Sequence, residues 1–348
     1  MRGSTVLRIK GSVKNYDWGN DFFIDDFLGR KRDGKRKAEL WFGSHPNGPS
    51  VSADTGEIIS IEGFPFLFKI LAIDKCLSLQ VHPTLEQAAS GKYQDLNQKA
   101  EVFCSLTPVT AMCGFRPLAE IKDNFRMIFG DDSPIDEAES VHDFFSILYQ
   151  MKKLLPKYHE FLKNQTIRHS GEFKSPLEIA IEISSDYPDD PAILAPWFLN
   201  VVHLNPGQTI YLRPRVIHCY VFGNGVELMN SSDNVIRAGL THKEVNRSEL
   251  ENVSLFEHTV PDILSTETSV EGLRYLIPDA PGFELSCMEA GSFDIPEGEY
   301  RILICTQGTA KVGNIELSNG QALLAMPEEG FHVDAEKAQL FAASGKRG

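Results

Sequence analysis

The stretch "SLQVHP", residues 78–83, follows an apolar run and precedes a polar one. Side chains alternate across a β-strand, so Ser78, Gln80 and His82 would point to one face and their apolar neighbours to the other. That polar face either contacts bulk solvent or lines a pocket where polar groups are needed. The sequence on either side of the stretch helps to decide between a solvent-exposed face and a pocket.

Short β-type runs surround this stretch. From about residue 7 to residue 116, alternating or apolar runs such as "KAELWFG" and "FPFLFKILAI" are separated by clusters of Gly, Pro, Asn and Asp. Residues 118–182 instead space their apolar residues three and four apart, which is typical of amphipathic helices. From about residue 197 strands and turns resume. The pattern predicts a mainly β protein with a helical insert.

A weak internal repeat suggests that two β-barrels are related. "PGQTIYLRPRVIH" (206–218) and "NGQALLAMPEEGFH" (319–332) share Gly-Gln, an apolar strand and a Pro seven residues after the Gly. The second copy lacks a counterpart of the polar strand at 78–83. One match of this kind also arises by chance, so the repeat is a hypothesis about architecture only.

The composition limits the class of protein. A chain of 348 residues with a net charge of −14 lacks the basic surface that a nucleic-acid partner requires. No stretch approaches the roughly 18 uncharged apolar residues of a membrane helix, and the N-terminus has no apolar signal region. The six scattered cysteines form no CxxC pair and are expected to be reduced thiols. We expect a cytoplasmic protein, with a monomer favoured.

Four potential metal ligands lie on predicted strands. Gln80 and His82 are two residues apart, so both can reach one ion above their face. Glu101 lies in "QKAEVFCSL" and His218 in "RPRVIHCYVF". Two imidazoles, a carboxylate and an amide oxygen can coordinate Zn²⁺ and leave positions for water or substrate. A histidine on a strand is nevertheless more often structural or solvated, so spacing alone leaves both interpretations open.

Five longer motifs carry a resemblance to a known family. They are "NYDWG" (15–19), "KAELWFGSHPNGPS" (37–50), "FPFLFKILAIDKCLSLQVHP" (64–83), "NQKAE…TAMCGFRP" (97–117) and "VELMNSSDNVIRAGLTHK" (226–243). In content and order they resemble the type I phosphomannose isomerases. The resemblance covers residues from about 7 to 118 and 187 to 245. The helical region and the last hundred residues match only in general character.

The resemblance implies a fold and a domain organisation. It implies a zinc-bearing cupin β-barrel, a helical insert and a second, C-terminal domain of jelly-roll type. The expected boundaries are 1–117 together with 187–255 for the catalytic cupin domain, 118–186 for the insert and 256–348 for the C-terminal domain. There is no room for the fused nucleotidyltransferase that some relatives carry, nor a Gly-rich phosphate loop.

The resemblance also implies a cofactor and a reaction. One Zn²⁺ per chain would be held by Gln80, His82, Glu101 and His218. The reaction would interconvert mannose 6-phosphate and fructose 6-phosphate through a cis-enediol or enediolate, so the partner would be a small sugar phosphate. A cation near O1 and O2 lowers the energy of the developing enediolate in a dry site.

Four residues are candidates for catalysis. The resemblance places Arg237 of "NVIRAGL" in the active site, where its planar fork could hold phosphate or neutralise an oxyanion. Glu227 could be the base or a partner of that arginine, and Lys69 and Lys99 could contact substrate or relay protons. Without the resemblance, Arg237 and Glu227 could form ion pairs on the surface, and Lys69 could point to water from an edge strand.

Four further residues are candidates for substrate binding. Ser78 shares the polar face with the predicted ligands and could donate to a sugar or phosphate oxygen. Lys243, at the end of "RAGLTHK", could contact the phosphate. Asp17 and Trp18 of "YDWG" could form one wall of the pocket, although a tryptophan in a β-protein more often serves packing.

One departure from the family pattern supports a second interpretation. Similar enzymes carry a histidine where this chain has Gln98, and glutamine cannot titrate near neutral pH. A non-catalytic sugar-phosphate-binding or regulatory cupin therefore stays an alternative. An iron-dependent oxygenase on the same barrel is a further one, because such sites also use two histidines and a carboxylate. The amide ligand and the accompanying lysines and arginine disfavour the oxygenase.

Overall fold

The computed structural model describes residues 6–130, 133–167, 171–279 and 281–346, and it is mainly β. Its strands form two antiparallel sheets of eleven strands each. The first sheet consists of β2 (Ser12–Lys14), β3 (Glu39–Phe42), β5 (Phe66–Ile73), β6 (Leu79–Val81), β7 (Glu101–Ser105), β8 (Val109–Phe115), β9 (Leu199–Leu204), β10 (Thr209–Leu212), β11 (His218–Asn230), β12 (Ile236–Gly239) and β13 (Asp262–Ile263).

The second sheet combines the C-terminal strands with two strands from the start of the chain. It consists of β1 (Val6–Lys10), β4 (Val51–Ser52), β14 (Thr266–Ser269), β15 (Gly272–Tyr275), β16 (Phe283–Glu289), β17 (Ser292–Ile295), β18 (Tyr300–Val312), β19 (Ile315–Ser318), β20 (Ala322–Ala325), β21 (Phe331–Asp334) and β22 (Ala338–Gly345). The prediction of a mainly β, cupin-type fold with a second β domain is confirmed by these two sheets.

The first strand crosses between the two predicted β domains. Strand β1 pairs with β20, with Leu7 opposite Leu324, and β4 pairs with β1. The domain boundary at 1–117 therefore does not coincide with a sheet boundary, because residues 6–10 and 51–52 complete the C-terminal sheet. The division into three units otherwise stays a prediction.

The helices are concentrated between residues 118 and 198, where the spacing of apolar residues predicts them. The described chain contains α1 (Phe23–Phe27), α2 (Leu85–Ala88), α3 (Leu118–Phe129), α4 (Val141–Leu148), α5 (Leu155–Lys163), α6 (Pro176–Asp186), α7 (Ala195–Phe198) and α8 (Arg247–Val253). Helix α6 begins at Pro176 and is capped by Ser175, whose hydroxyl accepts from the Glu178 N–H while the Glu178 carboxylate accepts from the Ser175 N–H. Among the described residues, no helix combines the length and apolarity that crossing a membrane requires.

Two large apolar clusters hold the molecule together. One packs the insert, including Phe125, Phe144 and Tyr158, against residues of β6, β8 and β11. The other joins the two sheets, with Phe68 and Val226 from the first and Ile302, Leu324 and Phe341 from the second. The strands that carry the polar candidates therefore have rigid support on their apolar side.

The internal repeat forms the same turn twice. Gly207 and Gly320 both adopt positive φ, 86° and 79°, a region that glycine enters without steric cost. The Gly207 N–H donates to Ser105 O at 2.8 Å, and the Gly320 N–H donates to Cys305 O at 2.9 Å. A four-residue strand, β10 or β20, follows each turn. The repeated sequence thus forms the same turn and strand in each of the two sheets.

Candidate metal centre

Strand β11 positions the polar residues, because it pairs with β5, β6, β7 and β8. His218 lies opposite Gln80 on β6, and Gln80 lies opposite Arg237 on β12. Residues directly opposite each other in an antiparallel pair project to the same face. The three side chains therefore form one row across the sheet.

An irregularity in β11 brings Glu227 to the same face. Nine residues separate Glu227 from His218, so strict alternation would place them on opposite faces. The pairing of β11 with β8 shifts register between Tyr220 and Phe222, as in a β-bulge. Tyr220, on the His218 side of the shift, donates its hydroxyl proton to Oε1 of Glu227, beyond the shift, at 3.0 Å. The irregularity thus unites the two halves of the long strand in one site.

His82, Glu101 and His218 form a buried cluster whose ligand atoms all lie within 4.8 Å of one another. Glu101 lies between the histidines, with Oε1 3.5 Å from His82 Nε2 and Oε2 3.3 Å from His218 Nε2. Their side chains are at most 1% exposed. The sequence prediction that these residues share one site agrees with this geometry.

The hydrogen bonds of the two imidazoles fix which nitrogen faces the centre. His82 Nδ1 lies 2.8 Å from Asn234 O and His218 Nδ1 lies 2.9 Å from Val216 O, so each Nδ1–H donates to a backbone carbonyl. The lone pair of each Nε2 then faces Glu101. Such outer hydrogen bonds orient metal-bound histidines.

Two buried atoms of the cluster lack hydrogen-bond partners within the described part of the chain, Glu101 Oε2 and His218 Nε2. An unpaired buried acceptor is costly, and a cation between the two would satisfy both. Burial, assisted by the Lys99 ammonium, lowers the pKa of His82 to about 4, so this ring is neutral at pH 7 as a metal ligand must be. The residues present therefore fit a divalent metal such as zinc.

Lys99 extends the cluster. Its ammonium donates to Glu101 Oε1 and lies 3.4 Å from His82 Nε2. Burial alone would raise the pKa of Glu101, but the Lys99 charge, with His82 and His218, holds it well below its usual range. A permanent carboxylate at this position suits cation binding. The role of Gln80 as a fourth ligand stays a prediction, supported by its position opposite His218.

A second charged group lies on the same face. Lys69 Nζ is 2.7 Å from Glu227 Oε2, both residues are buried, and the ammonium lies 5.4 Å from the centre of the Trp41 ring. Burial would lower the pKa of Lys69, but the carboxylates of Glu227 and Glu39 raise it. Burial also raises the pKa of Glu227, although Lys69 opposes the shift. Lys69 is buried on β5, which lies between β11 and β3, so it does not point to water from an edge strand, the alternative that the sequence left open.

Breaking this buried pair is expected to destabilise the fold. We expect Lys69→Met to lower the free energy of unfolding by about 3–5 kcal/mol, because Glu227 would be left buried without its counter-ion. Urea denaturation at pH 7 measures the change. Lys75→Met is the matched control, since Lys75 and Asp186 form a half-exposed pair worth less than about 0.5 kcal/mol. Equal small effects of the two substitutions would contradict the assignment.

The pKa of His82 gives a pH prediction for protein stripped of metal by chelation. The folded pKa of about 4 lies below the ordinary 6.5, so the contribution to stability is fully present above pH 6.5 and is lost as the pH falls towards 4. The loss should be on the order of 3 kcal/mol. Urea denaturation at several pH values measures it, and His82→Gln should flatten the profile. An unchanged profile in that variant would show that other groups cause the loss.

Arg237 is half-buried on the same face as Gln80. Within the described part of the chain, no hydrogen bond or ion pair holds its guanidinium. The alternative prediction was that Arg237 forms a surface ion pair, but no acidic residue of the described chain pairs with it. Such a cation is available to an anionic substrate.

The predicted substrate-binding residues differ in their surroundings. Ser78 is half-buried just before β6, and Trp18 is half-buried, stacks on Tyr16 at 5.8 Å and packs against the cluster containing Phe103. Asp17 and Lys243 are exposed, and no side-chain contact within the described residues joins them to the metal cluster. Contact of these residues with substrate stays a prediction.

Two supporting residues were not predicted from the sequence. Asn234 supplies the carbonyl that orients His82, and its side-chain amide donates to the carbonyls of Asp95 and Asn97 at 2.9 and 2.8 Å. Trp41 contacts the Lys69 ammonium and donates to Glu39. The turn-forming run "NSSDN" was a signal for the first, whereas the second depends on strand pairing.

Two surface cavities accompany the site. A cavity of about 490 Å³ lies between the insert and the chain after β12, and its wall includes Tyr149, Tyr187, His242 and Arg247. A second cavity of about 360 Å³ includes Asn234 in its wall. Neither cavity is lined by His82, Glu101 or His218. We therefore place the candidate metal site at this cluster and not at either cavity.

The two-sheet cupin-type fold and the buried His–Glu–His cluster are those expected of a metal-binding protein of the cupin class. The family model "Phosphomannose isomerase type I, catalytic domain" matches residues 6–118. Mannose-6-phosphate isomerase of Escherichia coli K12 is 30% identical over 96% of this chain and 96% of its own length. The chain therefore belongs to the type I mannose-6-phosphate isomerase family.

Other relatives agree with this membership. Mannose-6-phosphate isomerase of Schizosaccharomyces pombe is 28% identical over 97% of this chain and 92% of its own length. A crystal structure of an arginine-to-alanine variant of phosphomannose isomerase from Salmonella typhimurium has a TM-score of 0.87 at 26% identity, covering 99% of this chain and all of the other. A zinc-bound mannose 6-phosphate isomerase structure has a TM-score of 0.85 at 25% identity, covering 99% and 100%.

Proposed function

We propose that this chain is a zinc-dependent isomerase that interconverts mannose 6-phosphate and fructose 6-phosphate through a cis-enediol or enediolate. The observation that carries the proposal is the buried cluster of His82, Glu101 and His218, with two unpartnered atoms facing each other. The relatives' names supply the substrate, and the zinc-bound relative supplies the metal.

The spacing of residues that were replaced in a relative supports the choice of site residues. The Salmonella protein has been crystallised with a lysine and a histidine replaced that lie thirteen residues apart, as do Lys69 and His82. It has also been crystallised with a lysine and a glutamate replaced that lie two residues apart, as do Lys99 and Glu101. An arginine variant of the same protein has also been crystallised. These parallels favour the proposed site.

The metal would be held by His82, Glu101 and His218, with Gln80 as the proposed fourth ligand. Zinc supplies a Lewis acid that stabilises negative charge on the sugar oxygens. Arg237 adds a fixed positive charge on the same face, where it would neutralise charge that develops on O1 and O2. Lys99 keeps Glu101 ionised.

A proton must also move between C1 and C2 of the substrate. A group that both accepts and returns it works best when its pKa lies near the working pH. Among the described carboxylates of this face, Glu227 has its pKa raised by burial, and Lys69 and Tyr220 orient its two oxygens. We assign proton transfer to Glu227 and charge compensation to Lys69. Ser78, Trp18 and Lys243 would contact the sugar or its phosphate, and Asp17 would lie at the rim.

A coupled assay tests the reaction and the substrate class. Purified protein is expected to convert mannose 6-phosphate to fructose 6-phosphate and to leave unphosphorylated mannose unchanged at the same concentration. Equal turnover of both sugars would contradict the sugar-phosphate assignment. The assay gives the same answer whatever the oligomeric state is. We propose that the protein is a monomer.

Gln98 favours a second candidate function, a non-catalytic sugar-phosphate-binding protein. Gln98 is half-buried one residue before Lys99, at the position where similar enzymes carry a titratable histidine. The binder would retain one zinc and bind mannose 6-phosphate without converting it. Isothermal titration beside the coupled assay separates the two functions, and gain of turnover in Gln98→His would identify the missing group.

A further inference from the structure

Two of the six cysteines lie in contact. Cys76 Sγ and Cys219 Sγ are 3.7 Å apart, and both residues are free thiols. They are 143 positions apart in sequence, so the fold itself brings them together. Two sulfurs at this separation need to approach by roughly 1.7 Å to reach the 2.03–2.05 Å of a disulfide.

Both cysteines adjoin residues of the proposed active site. Cys219 directly follows His218 in β11, and Cys76 lies in the turn that leads into Ser78 and Gln80. The Leu77 N–H donates to Tyr220 O at 2.9 Å, so this turn already rests against β11. A bond between the sulfurs would tie the two segments that carry the proposed ligands.

Only Cys76 offers an approach from solvent. It is half-buried, whereas the other five cysteines are buried. Cys76 packs against the same apolar cluster as Tyr187, and Tyr187 lines the cavity of about 490 Å³. The turn around Cys76 belongs to no helix or strand. One residue of the pair is thus partly accessible to solvent, and it lies on a segment outside the helices and strands.

We propose that Cys76 and Cys219 form a redox-active pair that hydrogen peroxide closes into a reversible disulfide. The Cys76 thiolate attacks one peroxide oxygen, the O–O bond breaks, and Cys76 becomes a sulfenic acid, while the hydroxide that leaves takes up the proton lost by the thiol and becomes water. The Cys219 sulfur then attacks the Cys76 sulfur, its proton is lost, and the S–O bond breaks to release a second water. The peroxide gains two electrons and each sulfur loses one.

Formation of the disulfide between Cys76 and Cys219 lowers the rate of the isomerase. The turn at Cys76 must move towards β11, and Ser78 and Gln80 follow on the same short segment. A displacement of about 1 Å in a positioned group can cost up to about a hundredfold in rate, so we expect a decrease of about ten- to a hundredfold. This effect rests on the proposed function, whereas formation of the bond does not.

Thiol counting and peptide mapping test the bond on the zinc-loaded protein. After treatment with hydrogen peroxide, the denatured protein is expected to show four thiols in place of six. Trypsin should release residues 76–92 and 216–237 as one linked pair, since each peptide contains a single cysteine. Dithiothreitol should restore six thiols. Six persisting thiols, or a link between other cysteines, would overturn the proposal.

Two variants test the effect on activity. Cys76→Ser should match the untreated enzyme in turnover, and peroxide should leave its activity unchanged. Cys219→Ala should behave in the same way and serves if the first variant is unstable, while Cys305→Ser is the matched control that still loses activity. Equal inactivation of Cys76→Ser and the parent protein would overturn the switch. Absence of turnover in the reduced parent would instead count against the isomerase function, because the thiol count is independent of activity.

Discussion

Replacing Glu101 by glutamine is expected to leave little zinc bound after dialysis and to lower kcat/KM on mannose 6-phosphate by about a thousandfold. Glutamine has nearly the same shape but no charge, so His82 and His218 lose the anion between them. Lys99 would also lose its buried counter-ion. The expected loss lies at the upper end of what removal of one electrostatic contact costs an enzyme.

Zinc analysis of the dialysed variant, together with steady-state kinetics, measures this result. Glu86→Gln is the matched control, because Glu86 is an exposed residue of α2 away from the cluster. Circular dichroism shows whether the Glu101 variant is folded. A folded Glu101→Gln protein that retains one zinc and full activity would exclude the cluster as the metal centre.

Replacing Arg237 by lysine is expected to lower kcat/KM by about a hundredfold while zinc content stays at the level of the parent. Lysine preserves the positive charge but not the planar fork that contacts two oxygens at once. Arg237 lies opposite Gln80 and has no described protein partner, so its loss should affect substrate more than the fold. The free energy of unfolding should change by less than about 1 kcal/mol.

Kinetics, zinc content and urea denaturation of the same preparation check all three expectations. Arg213→Lys is the control, since Arg213 is paired with Asp262 at the surface. If Arg237→Lys kept full activity, or lost activity only together with stability, Arg237 would be a structural residue. The proposal that Arg237 neutralises charge on O1 and O2 would then be wrong.

Much of the fold could be predicted because local patterns coincide with it. The change from alternating to three-and-four spacing near residue 118 marks the start of α3 at Leu118. The Ser-Pro pair at 175–176 marks the start of α6. Strand β1 could not be assigned to a sheet in this way, because pairing with β20 is a contact across more than 300 residues.

The site was predictable to a similar degree. The two-residue spacing of Gln80 and His82 gives their common face, but the meeting of His82, Glu101 and His218 depends on the pairing of β11 with β6 and with β7. The register irregularity in β11 is not visible in the sequence, and strict alternation would have placed Glu227 away from His218. The backbone carbonyl of Val216, which orients His218, carries no side-chain signature.

A zinc titration of metal-stripped protein, in which bound zinc and turnover of mannose 6-phosphate are measured on the same samples, tests the proposed zinc centre. We expect no turnover without metal, a linear rise with bound zinc, and a plateau at one zinc per chain. Turnover that survives complete removal of zinc, or one tightly bound zinc with no turnover, would contradict the claim that the cluster of His82, Glu101 and His218 is the centre of a zinc-dependent isomerase.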